Sequence, residues 1–452
     1  MVNLIVEISK YIIIILMAVY TYYAFRVFGF KEKVKINRTY RKMSQIIFLF
    51  HFICYLILFL NTHNLKVLIL YSMQLAVLIF ALILYQWVYV NLSKLILHNM
   101  LFMITIGFVM LTRLSYDDSL RQFYIVVGAL VLCLIIPILI DKMWYLVKFG
   151  WIYGIIGVFL LLSVLFFGVE NYGATNWIII GGITFQPSEF VKIVFVFCIA
   201  SLLAKRKDFR YIVVVTVLAA IHVLILVLEK DLGGALIFFI TYLVMLFVAT
   251  SQPLYFFSGL IAGCGASYLA YHTFNHVRVR VAAWRNPWAL IDKEGYQVSQ
   301  SLFAIGTGGW FGMGLSKGLP TSIPVVESDF IFSAISEELG GIFALCLVLI
   351  CLSCFIMFIN IAMKLKDKFY KLVALGLSIM YIFQVFLSIG GVIKFIPSTG
   401  VTLPLISSGG SSILSSIILF SVIQGLYVKE QDRNDVSEKK KRRKARTEEQ
   451  SE

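Results

Sequence analysis

Charge is scarce in this chain. Of its 452 residues, 14% are Asp, Glu, Lys or Arg, while 60% are hydrophobic. A soluble domain carries about a quarter charged residues. The shortage excludes a soluble enzyme, and so apolar a composition excludes disorder over most of the length. With a mean hydropathy of +0.91, lipid is left as the main solvent. Cysteine is sparse and unpatterned. Cys54, Cys133, Cys198, Cys264, Cys346, Cys351 and Cys354 all lie in apolar stretches, with no CxxC pair and no metal-ligand spacing. They read as small apolar packing residues. His272 and His276 stand at i,i+4, but no third ligand motif and no HExxH pattern accompany them. Walker, Rossmann and nucleophile-elbow motifs are absent as well.

What charge there is has a sign. Lys and Arg number 39 against 24 acids, a net +15. Such a balance can signal nucleic acid, but here the excess sits in short loops between apolar segments. Loop 31–42 holds six basic residues and one acid, loop 205–210 four and one, and loop 364–371 four and one. That is the signature of cytoplasmic loops in a membrane protein, not of a nucleic-acid surface.

Crossing a bilayer core takes about 20 apolar residues as a helix. By that ruler the chain holds about thirteen spans, at 5–29, 44–61, 66–91, 97–112, 121–140, 149–168, 188–204, 210–228, 232–250, 254–272, 331–362, 370–391 and 409–428. The expected fold is therefore all-α, a polytopic membrane helical bundle. With loop 31–42 inside, alternation puts every strongly basic short loop in the cytoplasm, the N-terminus outside and the tail inside. The first apolar run exceeds an ordinary signal sequence and no small-residue cleavage site follows it before Lys31, so it reads as a retained helix. The connection 273–330, 58 residues long, falls outside; connections of that length usually carry function. The tail 429–452 is polar, with nine basic and seven acidic residues, and reads as disordered and weakly drawn to anionic lipid.

Ionisable groups at membrane depth need a reason to be there. In Gln186-Pro187-Ser188-Glu189-Phe190-Val191-Lys192, Pro187 suits a first helical turn and positions 189 and 192 share a face. They form either an ion pair at the interface or a pair lining an outward cavity. Glu229-Lys230-Asp231, before Gly233 and Gly234, reads as a solvated turn between two spans. In the long outer loop, Gly306, Gly308, Gly309, Gly312 and Gly314 could cradle a phosphate or simply allow a tight re-entrant turn. Asp329 precedes an apolar helix, either as its N-cap or as a carboxylate at the outer surface near Arg280 and Arg285. The stretch Ile396 to Ser412 is rich in Pro, Gly, Ser and Thr at membrane depth. Non-helical backbone there is tolerated only within protein or facing a wet cavity.

Taken together these segments resemble the SEDS family (shape, elongation, division and sporulation) of cell-wall polymerases. The matching residues are Gly173-Ala174 with Trp177-Ile178, Gln186-Pro187-Ser188-Glu189 with Lys192, Asp231-Leu232-Gly233, Tyr296-Gln297 with Gln300-Ser301, and Ala304 to Leu315. Asp329-Phe330-Ile331-Phe332, Glu337-Glu338-Leu339-Gly340 and Pro397 to Ser412 complete the series. Asn176, Gly234, Val325, Glu327 and Ser408 depart from the family pattern. The resemblance implies a ten-span core over 97–428, with 1–96 as a three-span N-terminal addition outside its reach. It also implies glycosyl transfer on a lipid-linked disaccharide-peptide, the peptidoglycan precursor, at the outer face of the bacterial plasma membrane. Asp329 would be the catalytic base. Arg280 and Lys192 would stabilise the departing pyrophosphate. Glu189, Gln186, Ser188, Gln297, Gln300, Ser407, Ser411 and Ser412 would line the substrate site. No cofactor is required; a divalent cation could share the work, though the sequence offers no dedicated metal cage. A single-span transpeptidase, a class B penicillin-binding protein, is the expected partner. A flippase for the same precursor, or a non-catalytic scaffold of the wall-synthesis complex, is the competing expectation.

Overall fold

The structure, a computed structural model, describes residues 2–449 apart from Lys31, Met143, Tyr172, Gly173 and Gly182. Gly173, one of the residues carrying the resemblance, thus lies outside the described residues. Seventeen α-helices follow one another: α1 Val2–Arg26, α2 Lys33–Thr62, α3 Leu65–Val88, α4 Lys94–Leu114, α5 Tyr116–Cys133, α6 Ile136–Lys142, α7 Gly150–Phe167, α8 Pro187–Lys205, α9 Phe209–Leu228, α10 Leu232–Thr250, α11 Pro253–Thr273, α12 Asn275–Arg285, α13 Tyr296–Gly308, α14 Ile331–Leu339, α15 Gly341–Lys364, α16 Lys368–Val392 and α17 Gly410–Glu449. Among the described residues, thirteen helical segments are long and apolar enough to cross a membrane. Every backbone bond of a spanning segment must be met within the segment, which is why the apolar runs fold this way.

Local chemistry sets the boundaries. Asn64, Ser115, Asp231 and Asp367 cap α3, α5, α10 and α16 through side-chain oxygens that accept backbone N–H groups. Pro187 opens α8 and Pro253 opens α11. Pro137 divides the fifth span into α5 and α6, because proline cannot donate to the preceding turn. The carbonyls of Leu130 and Leu134 near this break accept the hydroxyls of Tyr85 and Tyr89 from α3. The interior is built around α4, the most enclosed span, with α2, α5, α15 and α17 packed about it. By contrast α11 has no buried residue.

Three expectations need correction. The apolar run 331–362 is two helices, α14 and α15, broken at Gly340 in a left-handed conformation (φ +91°). The outer segment after α7 is not all loop: Val169–Asn171, Ala174–Ile180 and Ile183–Phe185 form a small antiparallel sheet, β1-β2-β3. Ile178, Ile179 and Ile180 are β-branched residues that favour it. The tail expected to be disordered continues as helix to Glu449, in register with the last span. It contains neither Gly nor Pro, and its Lys, Arg and Glu are good helix formers. Its base is also tied down: Asn91 donates to Asp432 and Asp435, and Gln424 exchanges hydrogen bonds with the backbone of Ser93.

The N-terminal helices are not a separate body. α1 packs on α15, α2 on α4, and α3 on α4 and α5. The start of α1 reaches the glycine-rich part of the long loop, where the rings of Tyr11 and Phe311 are 5.7 Å apart.

Candidate active site

Widely separated segments build one cavity of about 310 Å³, with α5 and the small sheet contributing to its wall beside the five segments that carry most of the polar groups. The first is the start of α8. Pro187 fixes the first turn, and Glu189 and Lys192 pair one turn later at 2.9 Å. Both are buried. Lys192 also donates to Gln384 Oε1 of α16 at 2.8 Å, and Ser415 of α17 donates to Glu189 Oε2 at 2.7 Å. Buried charges are kept only when paired and hydrogen-bonded in this way.

The second segment is the α9–α10 corner. Asp231 caps α10 by accepting from Gly234 N at 2.8 Å, and Ser188 reaches its other oxygen at 3.5 Å. Burial pushes the Asp231 carboxyl up; the Gly234 bond opposes this and the charge of Glu189 adds to it. The solvated-turn expectation fails here. Glu229 is fully buried, neither carboxylate oxygen has a hydrogen-bond partner, and burial, helped by Asp231, pushes its pKa up to about 9. The neighbouring β2 strand explains the enclosure: Thr175 N donates to the Glu229 carbonyl at 3.0 Å and covers the corner.

The remaining segments are α12, the turn before α14 and the loop 396–412. α12 carries Arg280, whose Nη1 donates to the Thr399 carbonyl at 3.1 Å. Asp329 sits in the turn before α14 and is half-buried. It is not the N-cap, since that position falls to Phe330, which makes no side-chain cap. Burial raises the Asp329 carboxyl above the usual carboxylate range; Ser328 and the charge of Arg280 pull it back, while Glu327 and Asp231 push it further up. The loop 396–412 closes the ring. Ser407 donates to the Ser328 carbonyl at 2.5 Å, Ser408 N donates to the Glu327 carbonyl at 2.8 Å, and Ser411 accepts from Gln186 N at 3.0 Å.

Of the residues singled out from sequence, Asp329, Arg280, Lys192, Glu189, Gln186, Ser188 and Ser412 line the cavity. Ser407 and Ser411 stand behind it as ties between its walls. Gln297 and Gln300 do not line it. They lie on α13, which packs on α14, so this helix supports the wall from outside. The glycine run is no phosphate cradle either. Most of its turn is already bonded to backbone: Gly312 N donates to the Gly308 carbonyl, Met313 N and Gly314 N donate to those of Glu337 and Glu338, and the Gly309 carbonyl accepts from Gly341 N. The run forms the re-entrant turn that holds the α14–α15 elbow.

Sequence reading passed over Asp118, Arg121, Gln122, Lys230 and Asp231, all of which line the cavity. Arg121 and Gln122 were detectable as polar residues in the outer turn of a span. Asp231 was visible within the resemblance but was set aside as a turn. Chemically, the cavity offers carboxylates (Asp329, Asp231, Glu327, Asp118) facing cations (Arg280, Lys192, Arg121, Lys230) within one polar volume. Among the described residues, no three His, Cys, Asp or Glu side chains cluster as metal ligands.

Fold and cavity define a multi-pass membrane protein with a charged, enclosed site at one end of its helix bundle. A family model described as cell cycle protein, and named for FtsW, RodA and SpoVE, matches residues 93–432. The chain belongs to this FtsW/RodA/SpoVE family, the SEDS family. It is 36% identical to peptidoglycan glycosyltransferase RodA of Mycobacterium tuberculosis over 348 residues, 70% of this chain and 74% of that protein. It is 32% identical to stage V sporulation protein E of Bacillus subtilis over 344 residues, 72% of this chain and 93% of that one. Among solved structures, a chain of a peptidoglycan synthase complex matches with a TM-score of 0.64 at 24% identity, covering 76% of this chain and 99% of that one. The rod shape determining protein RodA of Thermus thermophilus matches with a TM-score of 0.56 at 24% identity, covering 74% and 96%. These two likenesses establish the shared fold.

Proposed function

We propose that this protein is a peptidoglycan glycosyltransferase that polymerises a lipid-linked disaccharide-peptide at the outer face of the bacterial plasma membrane. The observation that carries the reading is the convergence of Asp329, Arg280 and the Glu189–Lys192 pair on one cavity from three segments well separated along the chain. A sugar 4-hydroxyl is a poor nucleophile at neutral pH. Asp329 takes its proton as the oxygen attacks the anomeric carbon of a second precursor. The bond from that carbon to the lipid pyrophosphate breaks, the electron pair leaves with the pyrophosphate, and the anomeric configuration inverts. Arg280, then Lys192, stabilise the charge that develops on the leaving group. Glu189, Gln186, Ser188 and Ser412 hold the glycan; Ser407 and Ser411 keep the walls in register.

No resident cofactor is assigned. A divalent cation enters, on this reading, as the counterion of the substrate's pyrophosphate, and chelation should slow the reaction without lowering the melting temperature. The long loop, the sheet and the N-terminus face the exterior, the C-terminal helix faces the cytoplasm, and a single-span class B penicillin-binding protein is the partner that crosslinks the product. The flippase alternative needs a polar path through the whole bilayer. Beneath the Glu189–Lys192 pair the next cavity holds about 10 Å³, and Met380, Tyr381, Leu419 and Phe420 share its lining with Gln384, Ser415 and Ser416; so narrow a continuation favours the enzyme.

The test is to incubate purified protein with lipid-linked disaccharide and resolve the glycan strands by size. Asp329→Asn should lose on the order of 10²- to 10⁴-fold in rate, the span of a general base, at an unchanged melting temperature. Full polymerisation by that variant would sink the assignment.

A further inference from the structure

The family match begins at residue 93, so α1, α2 and α3 lie wholly outside it. Yet this addition contains a buried chain of polar side chains that ends inside the core. His51 and Gln74 are fully buried, and Tyr55 nearly so. Tyr55 OH donates to Gln74 Oε1 at 2.6 Å, and His51 Nε2 lies 3.2 Å from the same oxygen. With its proton spent on Gln74, the Tyr55 oxygen can only accept. It accepts from Thr112 of α4 at 2.7 Å, a proton for which the Phe108 carbonyl competes. Thr112 Oγ1 is in turn 2.7 Å from Ser119 Oγ of α5.

Ser119 lies one turn before Gln122 on α5. Gln122 lines the cavity and grips the Ser/Gly loop at two points: it donates to the Ser407 carbonyl at 3.1 Å and accepts from Gly409 N at 3.2 Å. Ser407 then donates to the carbonyl of Ser328, the residue before Asp329. A continuous line of contacts therefore runs from the added helices to the segment that carries the acid. Adhesion alone does not explain it. His51 Nδ1 and Gln74 Nε2 have no hydrogen-bond partner, and buried polar groups left in that state cost stability. The apolar spans α2 and α3 would pack onto α4 better without them.

We propose that the N-terminal helices position the reaction site, with Tyr55 as the positioning residue that fixes the rotation of α5 through Thr112 and Ser119, and with it the grip of Gln122 on the loop behind Asp329. The inference rests on the glycosyltransferase reading. It deepens that reading by assigning a task to residues that lie outside the family match.

The experiment uses full-length purified protein and lipid-linked disaccharide as probe, with kcat and KM determined separately. Tyr55→Phe keeps the ring and removes one hydroxyl. It should lower kcat roughly fivefold, within the range of measured coupling between sites, and leave KM within about twofold. Thr112→Val, which removes the next hydroxyl, should do the same. Combined with Gln122→Ala, Tyr55→Phe should add nothing, because both act through one element. Leu70→Ala, in the apolar packing of α3, should lower the melting temperature and leave kcat unchanged. Wild-type kcat in both Tyr55→Phe and Thr112→Val, or losses that multiply in the double variant, would overturn the proposal. Failure of the wild-type protein to polymerise would instead overturn the function on which it rests.

Discussion

Asp329 and Arg280 meet across one glycine. A Cβ built on Gly400 would lie 3.4 Å from Asp329 Oδ2 and 3.9 Å from Arg280 Nη2. Gly400 itself has φ +71°. The acid and the cation thus share a boundary at a residue whose positive φ favours glycine.

This arrangement gives the reaction a pH signature. A general base works ionised, so the acidic limb of kcat/KM follows the Asp329 carboxyl. Burial raises that carboxyl and Arg280 lowers it. Arg280→Ala removes a lowering influence, so the limb should move to higher pH and the rate at neutral pH should fall for that reason as well as through weaker leaving-group stabilisation. Arg280→Lys should restore most of the limb and only part of the rate. A pH–rate profile separates the two effects; an Arg280→Ala limb that stayed in place would break the electrostatic link.

The Glu189–Lys192 pair should behave as a unit. Removing one member strands the other in a buried site, which costs about 3–5 kcal/mol, eased here by Gln384 and Ser415. Glu189→Leu and Lys192→Met should each lower the melting temperature in detergent. The double variant should regain much of it, since an apolar pair of similar volume tolerates burial. It should nonetheless remain inactive, because the cavity has lost its inner cation. An active double variant would confine the pair to a structural role.

Glu229 makes a stability prediction of its own. In the unfolded chain its carboxyl ionises near pH 4.5, and in the folded protein near pH 9. Between those values the folded state holds the extra proton, so stability falls as pH rises across the window and levels off above it. Glu229→Gln removes the titrating group and keeps the shape. Melting temperatures from pH 5 to pH 9 should slope downward for the wild type and more weakly for the variant; equal slopes would mean that the carboxyl is hydrated.

Much of this was legible in the sequence, because lipid permits few solutions. Apolar length was enough to give the thirteen spans found among the described residues. Glu189 and Lys192 stood out as charges where charge is costly. What stayed hidden depended on distant backbone. The residues around Glu229 and Asp231 read as a solvated turn, since nothing nearby announces that β2 covers them. Gln297 and Gln300 are polar and adjacent to the right segment, yet they lie on a helix that supports the wall instead of forming it. Arg121 and Gln122 were visible as polar residues at the start of a span, but the hold of Gln122 on loop 396–412 depends on a segment nearly three hundred residues away. The break within 331–362 was marked by Glu337-Glu338-Leu339-Gly340-Gly341, but the apolar residues on either side read as one span.

That break can be tested directly. Gly340 has φ +91°, and a Cβ there would stand 2.4 Å from Gly312 N, a backbone atom that cannot swing aside. The elbow it allows turns Glu338 toward Arg113, paired at 2.9 Å, and Glu337 toward Leu319 N at 3.0 Å. These contacts tie the long outer loop, and Asp329 within it, to α4. Gly340→Ala should therefore combine a left-handed strain of about 1–2 kcal/mol with a clash, lowering both melting temperature and polymerisation. Gly306 is the control, since it lies within α13 with nothing within 4 Å of its would-be Cβ. Gly306→Ala should be neutral or stabilise by about 0.5–1 kcal/mol. If Gly340→Ala melted and polymerised like Gly306→Ala, the elbow would not be what holds the acid-bearing loop in place.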